Sequence, residues 1–354
     1  MNSQISITRF AVTELEEECL KLGEQKYRAK QIMDWVYKKT ALSFEEMTNL
    51  SIETRRKLAE HFIITSSQVK KVFISKDGTK KILVELANPP DRTVIRAGKS
   101  CVECVLMFEI DRITLCISTQ VGCPVKCSFC ASGSKGLIRS LEVNEIVEEV
   151  LLAQLLLKPE GLRVGNIVIM GMGEPFLNYD NLIKALKILT AKWGFGIGKN
   201  RITVSTVGLP DKIAQFAKEK VATNLAISLH SPRDEVRRQI IPLANNVKVK
   251  ELVEAARMYN QETGKDITFE YLMIDELNTD EASARELAAL IKNSGGKINL
   301  IAYNEVRGLP YRVPSLETIL RFQDVLRQVG LIAMLRKSKG NDISAACGQL
   351  AFRV

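Results

Sequence analysis

Three cysteines crowd into Cys123-Pro-Val-Lys-Cys127-Ser-Phe-Cys130, a C-x3-C-x2-C spacing. Thiolates this close in sequence can wrap three irons of a cubic 4Fe–4S cluster. The fourth iron then has no cysteine from this motif and is open to another ligand. A tetrahedral structural zinc would need a fourth protein ligand. The only histidines are His61 and His230, and neither is near in sequence. Three unligated core cysteines are the bland alternative, but cysteines rarely crowd without a task.

Gly171-Met-Gly-Glu-Pro175 follows an apolar run that ends at Met170. Glycines directly after a strand mark a tight turn or a close approach to a ligand. The carboxylate of Glu174 could receive an ammonium group, and an ordinary turn explains the phrase equally well. Two further cysteines stand far apart. Cys116 lies in an expected strand, and Cys347 sits among small residues in Ser344-Ala-Ala-Cys-Gly348. A lone cysteine is usually a small buried hydrophobe, and spacing does not pair these two. Cys101 and Cys104 form a C-x2-C without a partner pair, and no role is assigned to them.

Elements must position these groups. From about residue 100, short β-branched runs alternate with amphipathic stretches. The expected strands are Ile113–Thr119, Asn166–Met170, Arg201–Ser205, Leu225–Leu229, Ile267–Ile274, Ile298–Tyr303 and Ile332–Leu335. Between them the spacing predicts helices over Val143–Leu157, Asn181–Lys192, Asp211–Lys218, Val249–Tyr259 and Glu281–Asn293. Strand–helix repetition implies parallel strands with helical crossovers. The expected fold is therefore α/β, an open or partial β/α barrel, with a doubly wound sheet as the alternative. Polar residues recur where strands end: Ser205, Ser228, His230 and Asn304. That rim is where barrel enzymes build their sites. His230 reads equally as a structural histidine.

Residues 1–95 differ from the remainder, 96–354. Helical spacing runs from Leu15 to Phe62, with Ser43 as a helix cap before Phe44. Strand-like runs follow at Val69–Ile74 and Lys81–Glu85, punctuated by a turn at Asn88-Pro-Pro-Asp91. We expect a small accessory domain, helices first. The chain has 50 Lys and Arg against 41 Asp and Glu, net +9, which favours an anionic partner. Basic residues group at Lys26, Arg28 and Lys30, at Lys38 and Lys39, at Arg55, Arg56 and Lys57, and at Arg336, Lys337 and Lys339. The apolar stretch near Leu151–Leu157 is too short and interrupted to span a bilayer. The start, with Glu14, Glu16, Glu17 and Glu18, lacks the apolar core of an export signal. The expected compartment is the cytoplasm, where close-spaced cysteines point to metal or catalysis rather than disulfides.

The C-x3-C-x2-C motif, with Phe129 before its last cysteine, resembles the radical S-adenosylmethionine superfamily. Together with Gly171–Pro175, Ser228-Leu-His230 and Ala345-Ala-Cys-Gly-Gln-Leu350, it resembles the RlmN/Cfr family of radical methyltransferases, which modify an adenine of large-subunit ribosomal RNA. Tyr27-Arg-Ala-Lys-Gln-Ile32 and Phe44-Glu-Glu-Met-Thr-Asn-Leu50 resemble it too, so the likeness runs end to end. It implies a partial barrel, a 4Fe–4S cluster on Cys123, Cys127 and Cys130, and S-adenosylmethionine at the open iron. It also implies that Cys347 carries a methyl group to the base and that Cys116 releases the product through a transient disulfide. Glu103, in an apolar strand phrase, matches a family proton acceptor, and desolvation there would raise its pKa. Gly173, Glu174, Ser205, Ser228, Leu229, His230 and Asn304 match S-adenosylmethionine contacts.

Some positions depart from the family pattern: Ser132, Thr119 and Ala302-Tyr-Asn-Glu-Val306. The proline after Glu174 resembles the branch that methylates carbon 2 of adenine. Methylation at carbon 8, a non-enzymatic RNA-binding iron–sulfur protein and a radical enzyme with another substrate are the rivals. Transfer RNA is a second candidate substrate, a flavodoxin-like protein a candidate electron donor, and a monomer the default assembly.

Overall fold

Alternation within the strands decides the architecture. In Ile202-Thr-Val-Ser-Thr206, residues 202, 204 and 206 are buried while Thr203 and Ser205 are half-buried. Asn166-Ile-Val-Ile169 repeats this pattern, with Ile167 and Ile169 inside. Successive side chains of a strand point to opposite faces. One face of the sheet is therefore aliphatic and covered by helices, and the other is polar and open to a lumen.

The computed structural model describes residues 4–87, 100–134, 136–243 and 247–351. In chain order it forms β1 (Ile5–Ser6), α1 (Val12–Lys21), α2 (Tyr27–Tyr37), α3 (Ile52–His61), β2 (Phe62–Ile63), β3 (Gln68–Ile74), β4 (Lys80–Glu85), β5 (Cys101–Phe108), β6 (Ile113–Cys116), β7 (Gln120–Gly122) and β8 (Leu137–Ser140). The helix–strand repeats follow as α4 (Val143–Leu157), β9 (Asn166–Ile169), α5 (Tyr179–Thr190), β10 (Ile202–Thr206), α6 (Pro210–Ala217), β11 (Asn224–Ser228), α7 (Asp234–Ile240), α8 (Val249–Thr263), β12 (Ile267–Met273), α9 (Glu281–Ile291), β13 (Lys297–Ala302), α10 (Leu316–Gln328) and β14 (Ala333–Arg336).

Among the described residues the main sheet has the order β14-β13-β12-β11-β10-β9-β6-β5-β4-β3. From β6 to β14 every neighbouring pair is parallel and the order follows the sequence. A doubly wound sheet would reverse direction at a switch point. This one does not, so the partial barrel holds, with β6 and β14 left unpaired to each other. β3, β4 and β5 extend the sheet in antiparallel fashion beyond β6. The helices α7 and α10 were not foreseen. The cap expected at Ser43 opens a short 3-10 turn, Phe44–Glu46, rather than an α-helix.

The boundary expected at residue 95 and the turn at Asn88–Asp91 lie outside the described residues. The helices α1 to α3 and the barrel share one apolar core. Their junction is polar at one point. Glu148 of α4 is fully buried and accepts from the hydroxyls of Ser6 (2.6 Å) and Thr8 (3.0 Å) and from the amides of Ser66 (3.0 Å) and Ser67 (2.8 Å). A buried carboxylate is tolerated only when donors surround it in this way.

Candidate active site

The cysteine loop crosses the mouth of the barrel. Gly122 closes β7 with φ +77, and a Cβ there would stand 2.0 Å from the carbonyl oxygen of Gly136. Only glycine lets β7 and β8 meet so closely, and the next amide, Cys123, donates to that same carbonyl at 3.1 Å. The loop is then tied across the rim. Ser128 donates its amide to Ile240 at 3.0 Å, and its hydroxyl meets Tyr311 at 2.6 Å. Val125 and Phe129 pack with Ile240, Leu272, Ile274 and Tyr303, with the three motif cysteines against this cluster.

Cys123, Cys127 and Cys130 line one cavity with Gly173, Glu174 and His230. Burial pushes the Cys123 thiol up to about 12 and raises Cys127 and Cys130 as well. Among the described residues no group of three or more His, Cys, Asp or Glu side chains could hold a single metal ion. The ligands of a cubic cluster sit on different irons, wider apart than those of one tetrahedral zinc. Three half-buried thiols round a shared cavity fit a 4Fe–4S cluster. Binding iron would displace their protons.

The glycine turn after β9 is forced by close packing. A Cβ at Gly171 would lie 2.7 Å from the carbonyl oxygen of Ile117, and one at Gly173, φ +103, would lie 2.6 Å from Cβ of Gln120. The turn interlocks with the strand end of β6: Thr119 donates to Met172 at 2.8 Å, and Met172 donates to the Ser118 hydroxyl at 2.9 Å. Glu174 is buried. Its Oε1 accepts from the amide of Phe176 at 3.0 Å and its Oε2 from that of Val207 at 2.8 Å. It therefore braces the turn after β9 against the turn after β10. Each oxygen keeps a second lone pair for a ligand. Desolvation raises its pKa to about 7, against the pull of those amides.

Ser205 and Ser228 line the same cavity from β10 and β11. Leu229 does not bring its side chain to the lining; it is fully buried, and its amide donates to Glu270 at 3.1 Å. His230 follows with φ +57. Its Nδ1 accepts from the amide of Leu272 at 3.0 Å, which places the proton on Nε2. Its ring stands edge-on to Phe129 with centroids 5.1 Å apart. Burial, then the charge of Arg237, holds its pKa down at about 3. Arg237 escaped sequence reasoning because an arginine in a short amphipathic segment reads as surface. It is buried and donates to the carbonyls of Leu229 at 3.2 Å and Ser228 at 3.3 Å, and also to Val207.

Cys116 and Cys347, which spacing could not pair, line one cavity of about 1120 Å³ together with Cys130 and Asn304. Cys130, Ser132, Glu270, Arg336 and Cys347 belong to this cavity and to the smaller one at the motif, so the two are continuous. Burial, then the neighbouring Cys347, pushes Cys116 up to about 12, while Arg336 pulls it down. The loop bearing Cys347 is stitched to the cysteine loop: Ala131 donates to the Gly348 carbonyl at 2.8 Å. Asn304 holds the Cys347 carbonyl at 3.1 Å. Glu103 is buried as a strand residue should be, but it lines neither cavity. Lys81 pairs with it at 3.0 Å.

Glu270 and Arg336 line both cavities. Glu270 accepts from Asn299 at 3.0 Å with one oxygen, and its other oxygen is buried with no partner among the described residues. Arg336, expected on a basic surface, instead lines the cavity. Glu270 lies within the fifth expected strand, among the polar residues that recur at the strand ends; Arg336, at the end of β14, follows the same rule.

Two family models match: the radical SAM superfamily over residues 117–288, and the ribosomal RNA large subunit methyltransferase N-terminal domain over residues 5–64. A probable dual-specificity RNA methyltransferase RlmN from Thermotoga maritima is 44% identical, covering 96% of this chain and 95% of its own. The corresponding protein of Dictyoglomus turgidum is 43% identical, covering 98% and 96%. The crystal structure of a radical SAM methyltransferase from Sphaerobacter thermophilus superposes with a TM-score of 0.92 at 40% identity, covering 98% of this chain and 99% of that one. With cysteine motif, barrel and relatives in agreement over almost the whole length, this chain is a radical SAM methyltransferase and belongs to the RlmN family.

Proposed function

We propose that the enzyme methylates carbon 2 of an adenine in large-subunit ribosomal RNA, with transfer RNA as a second substrate, through a methyl group carried on Cys347. The observation that carries this reading is the convergence of Cys116, Cys347 and the motif cysteines on one continuous cavity. A ring carbon bearing hydrogen is not a nucleophile, so it does not accept a methyl group directly from a sulfonium. A thiolate does, by displacement.

Cys347 takes the methyl group of one S-adenosylmethionine as the sulfonium bond to that carbon breaks. A cluster on Cys123, Cys127 and Cys130 supplies, when bound, the electron that splits a second S-adenosylmethionine into the radical that removes a hydrogen atom from the Cys347 methyl group. Cys347 presents the resulting carbon to the base; the adduct then gives its ring proton to Glu103, and its unpaired electron would return to the cluster, leaving a closed-shell thioether. Cys116 then attacks the Cys347 sulfur; the new carbon departs with the electron pair and is protonated, leaving a transient disulfide. Gly173, Glu174, Ser205, Ser228, His230 and Asn304 contact S-adenosylmethionine, and Leu229 does so through its backbone.

RNA as substrate is supported by the relatives' printed names, dual-specificity RNA methyltransferase, and ribosomal RNA by the N-terminal family description. Residues 1–95 serve as the RNA-binding part and 96–354 as the catalytic part. Lys26 and Lys30 are exposed near Tyr27 in sequence, which is 54% exposed, and Lys38 and Lys39 are exposed at the end of α2. Lys39 lies 3.7 Å over the ring of Trp35. Cations interleaved with aromatics suit an RNA backbone and its bases. Among the described residues no helix is long and apolar enough to cross a membrane. A cytoplasmic monomer fed by a flavodoxin-like donor belongs to the same reading.

The test is anaerobic incubation of cluster-loaded enzyme with S-adenosylmethionine, reductant and unmodified ribosomal RNA, then nucleoside analysis. 2-Methyladenosine is expected. 8-Methyladenosine would keep the chemistry and overturn the position. 5′-Deoxyadenosine without methylated adenosine would overturn the substrate.

A further inference from the structure

Lys81 belongs to the β3–β4 hairpin, in the segment that sequence reasoning set apart from catalysis. In the β4–β5 register Lys81 faces Val105 and Leu83 faces Glu103. Lys81 and Glu103 are thus diagonal neighbours on one face, a separation that a long side chain spans. Their charged groups meet at 3.0 Å with both side chains buried. The same Lys81 ammonium donates to the Ser344 carbonyl at 3.2 Å. The other oxygen of Glu103 accepts the amide of Ala351 at 2.9 Å. The pair therefore grips the chain on both flanks of Cys347.

The hairpin turn makes a second grip. Asp77 accepts the amide of Gly340 at 3.1 Å, and Asp342 accepts the amide of Lys76 at 3.1 Å and the hydroxyl of Ser75. A Cβ at Gly340 would lie 3.0 Å from Cγ2 of Thr79, so the loop is seated against the turn. Between the grips the chain passes through left-handed residues, Ser344 at φ +53 and Gly348 at φ +85. Glycine takes such a conformation freely, but a serine holds it only where surrounding structure keeps it there.

Resting on the reading of Cys347 as methyl carrier, we propose that the β3–β4 hairpin is the clamp that positions the Cys347 loop, with Lys81 as its principal positioning residue. Lys81 acts on Cys347 through the loop backbone at Ser344 and through Glu103, not by touching the sulfur. It fixes where the sulfur stands relative to Cys116 and the motif cysteines. A methyl-bearing sulfur that wanders by an ångström loses its alignment with both partners.

The first measurement needs no cluster. Cys347 alkylation by iodoacetamide is followed by peptide mass spectrometry in the metal-free full chain. Lys81→Met and, separately, the exposed Asp342→Ala should each speed it about tenfold, because losing an anchor raises the population of the open loop. Lys81→Arg should restore the wild-type rate. The second uses holoenzyme: methylated adenosine formed per 5′-deoxyadenosine should fall about a hundredfold in Lys81→Met and recover in Lys81→Arg. Unchanged alkylation in both Lys81→Met and Asp342→Ala overturns the clamp. Failure of wild-type Cys347 to acquire a methyl group overturns the carrier reading instead, and mass spectrometry of the same peptide separates the two.

Discussion

Asn304 donates its side-chain amide to the carbonyl of Cys347 at 3.1 Å. The rim after β13 thus holds the Cys347 loop by its backbone. A residue matched to S-adenosylmethionine by family likeness is spending a donor on the loop. Asn304→Ala should therefore uncouple the reaction, lowering methylated adenosine per 5′-deoxyadenosine about tenfold or more. Both products falling in parallel would instead mean that the side chain acts only on the cosubstrate.

Gly171 has no room for a side chain. A methyl group there would meet the Ser118 hydroxyl oxygen at 2.6 Å and the Ile117 carbonyl at 2.7 Å. Backbone cannot yield as a flexible side chain does, so the turn must open. Gly171→Ala should cost about 1–3 kcal/mol in urea unfolding. It should also abolish measurable S-adenosylmethionine binding, since Glu174 is displaced with the turn. Wild-type stability together with wild-type binding would contradict the packing argument.

The junction at Glu148 offers a stability test away from the chemistry. Its carboxylate gathers Ser6, Thr8, Ser66 and Ser67 inside the core. Glu148→Ala removes the acceptor of the Ser66 and Ser67 amides and leaves the Ser6 and Thr8 hydroxyls only each other and the Ile64 carbonyl. Loss of such a network should cost about 3–5 kcal/mol. Hydrogen exchange should show residues 5–67 loosening first. A loss below about 1 kcal/mol would mean that water replaces the carboxylate.

Much of this was legible in the chain because the barrel is built from repeated local units. Val143–Leu157 was read to the residue, since apolar spacing and a first-turn acid mark a helix unaided. The expected strands stand within a residue or two of those formed, except that β6 stops at Cys116, before the expected Thr119; the short β1, β2, β7 and β8 were not expected, and β5 was expected only as an apolar strand phrase around Glu103. The cysteine spacing and the glycine turn were visible because both are sequence-local. What could not be read depends on residues far apart. Lys81 and Glu103 are brought together by strand register, and Glu148 and Ser6 by helix docking. Arg237 and Arg336 look like surface charge until the fold turns them inward. Burial of Glu148 and Glu149 within α4 also defeats pattern reading, because paired glutamates on a helix ordinarily mark its wet face.

His230 gives the pH test. Its imidazole is buried and neutral, its Nδ1 accepts from Leu272, and its pKa is held at about 3 against an ordinary 6.5. The folded state thus refuses a proton that the unfolded chain takes up below pH 6.5. The associated stability is fully present above 6.5 and is lost as pH falls towards 3. At about 1.4 kcal/mol per unit, the loss from pH 6.5 to 5 is about 2 kcal/mol. Asparagine at this position keeps an acceptor for Leu272 and tolerates the left-handed backbone at φ +57. Urea unfolding of metal-free wild type and His230→Asn, each at pH 7 and pH 5, should show the variant losing about 2 kcal/mol less on acidification. Equal losses in the two proteins would mean that His230 takes up its proton in the folded state, and that the Leu272 amide does not hold Nδ1.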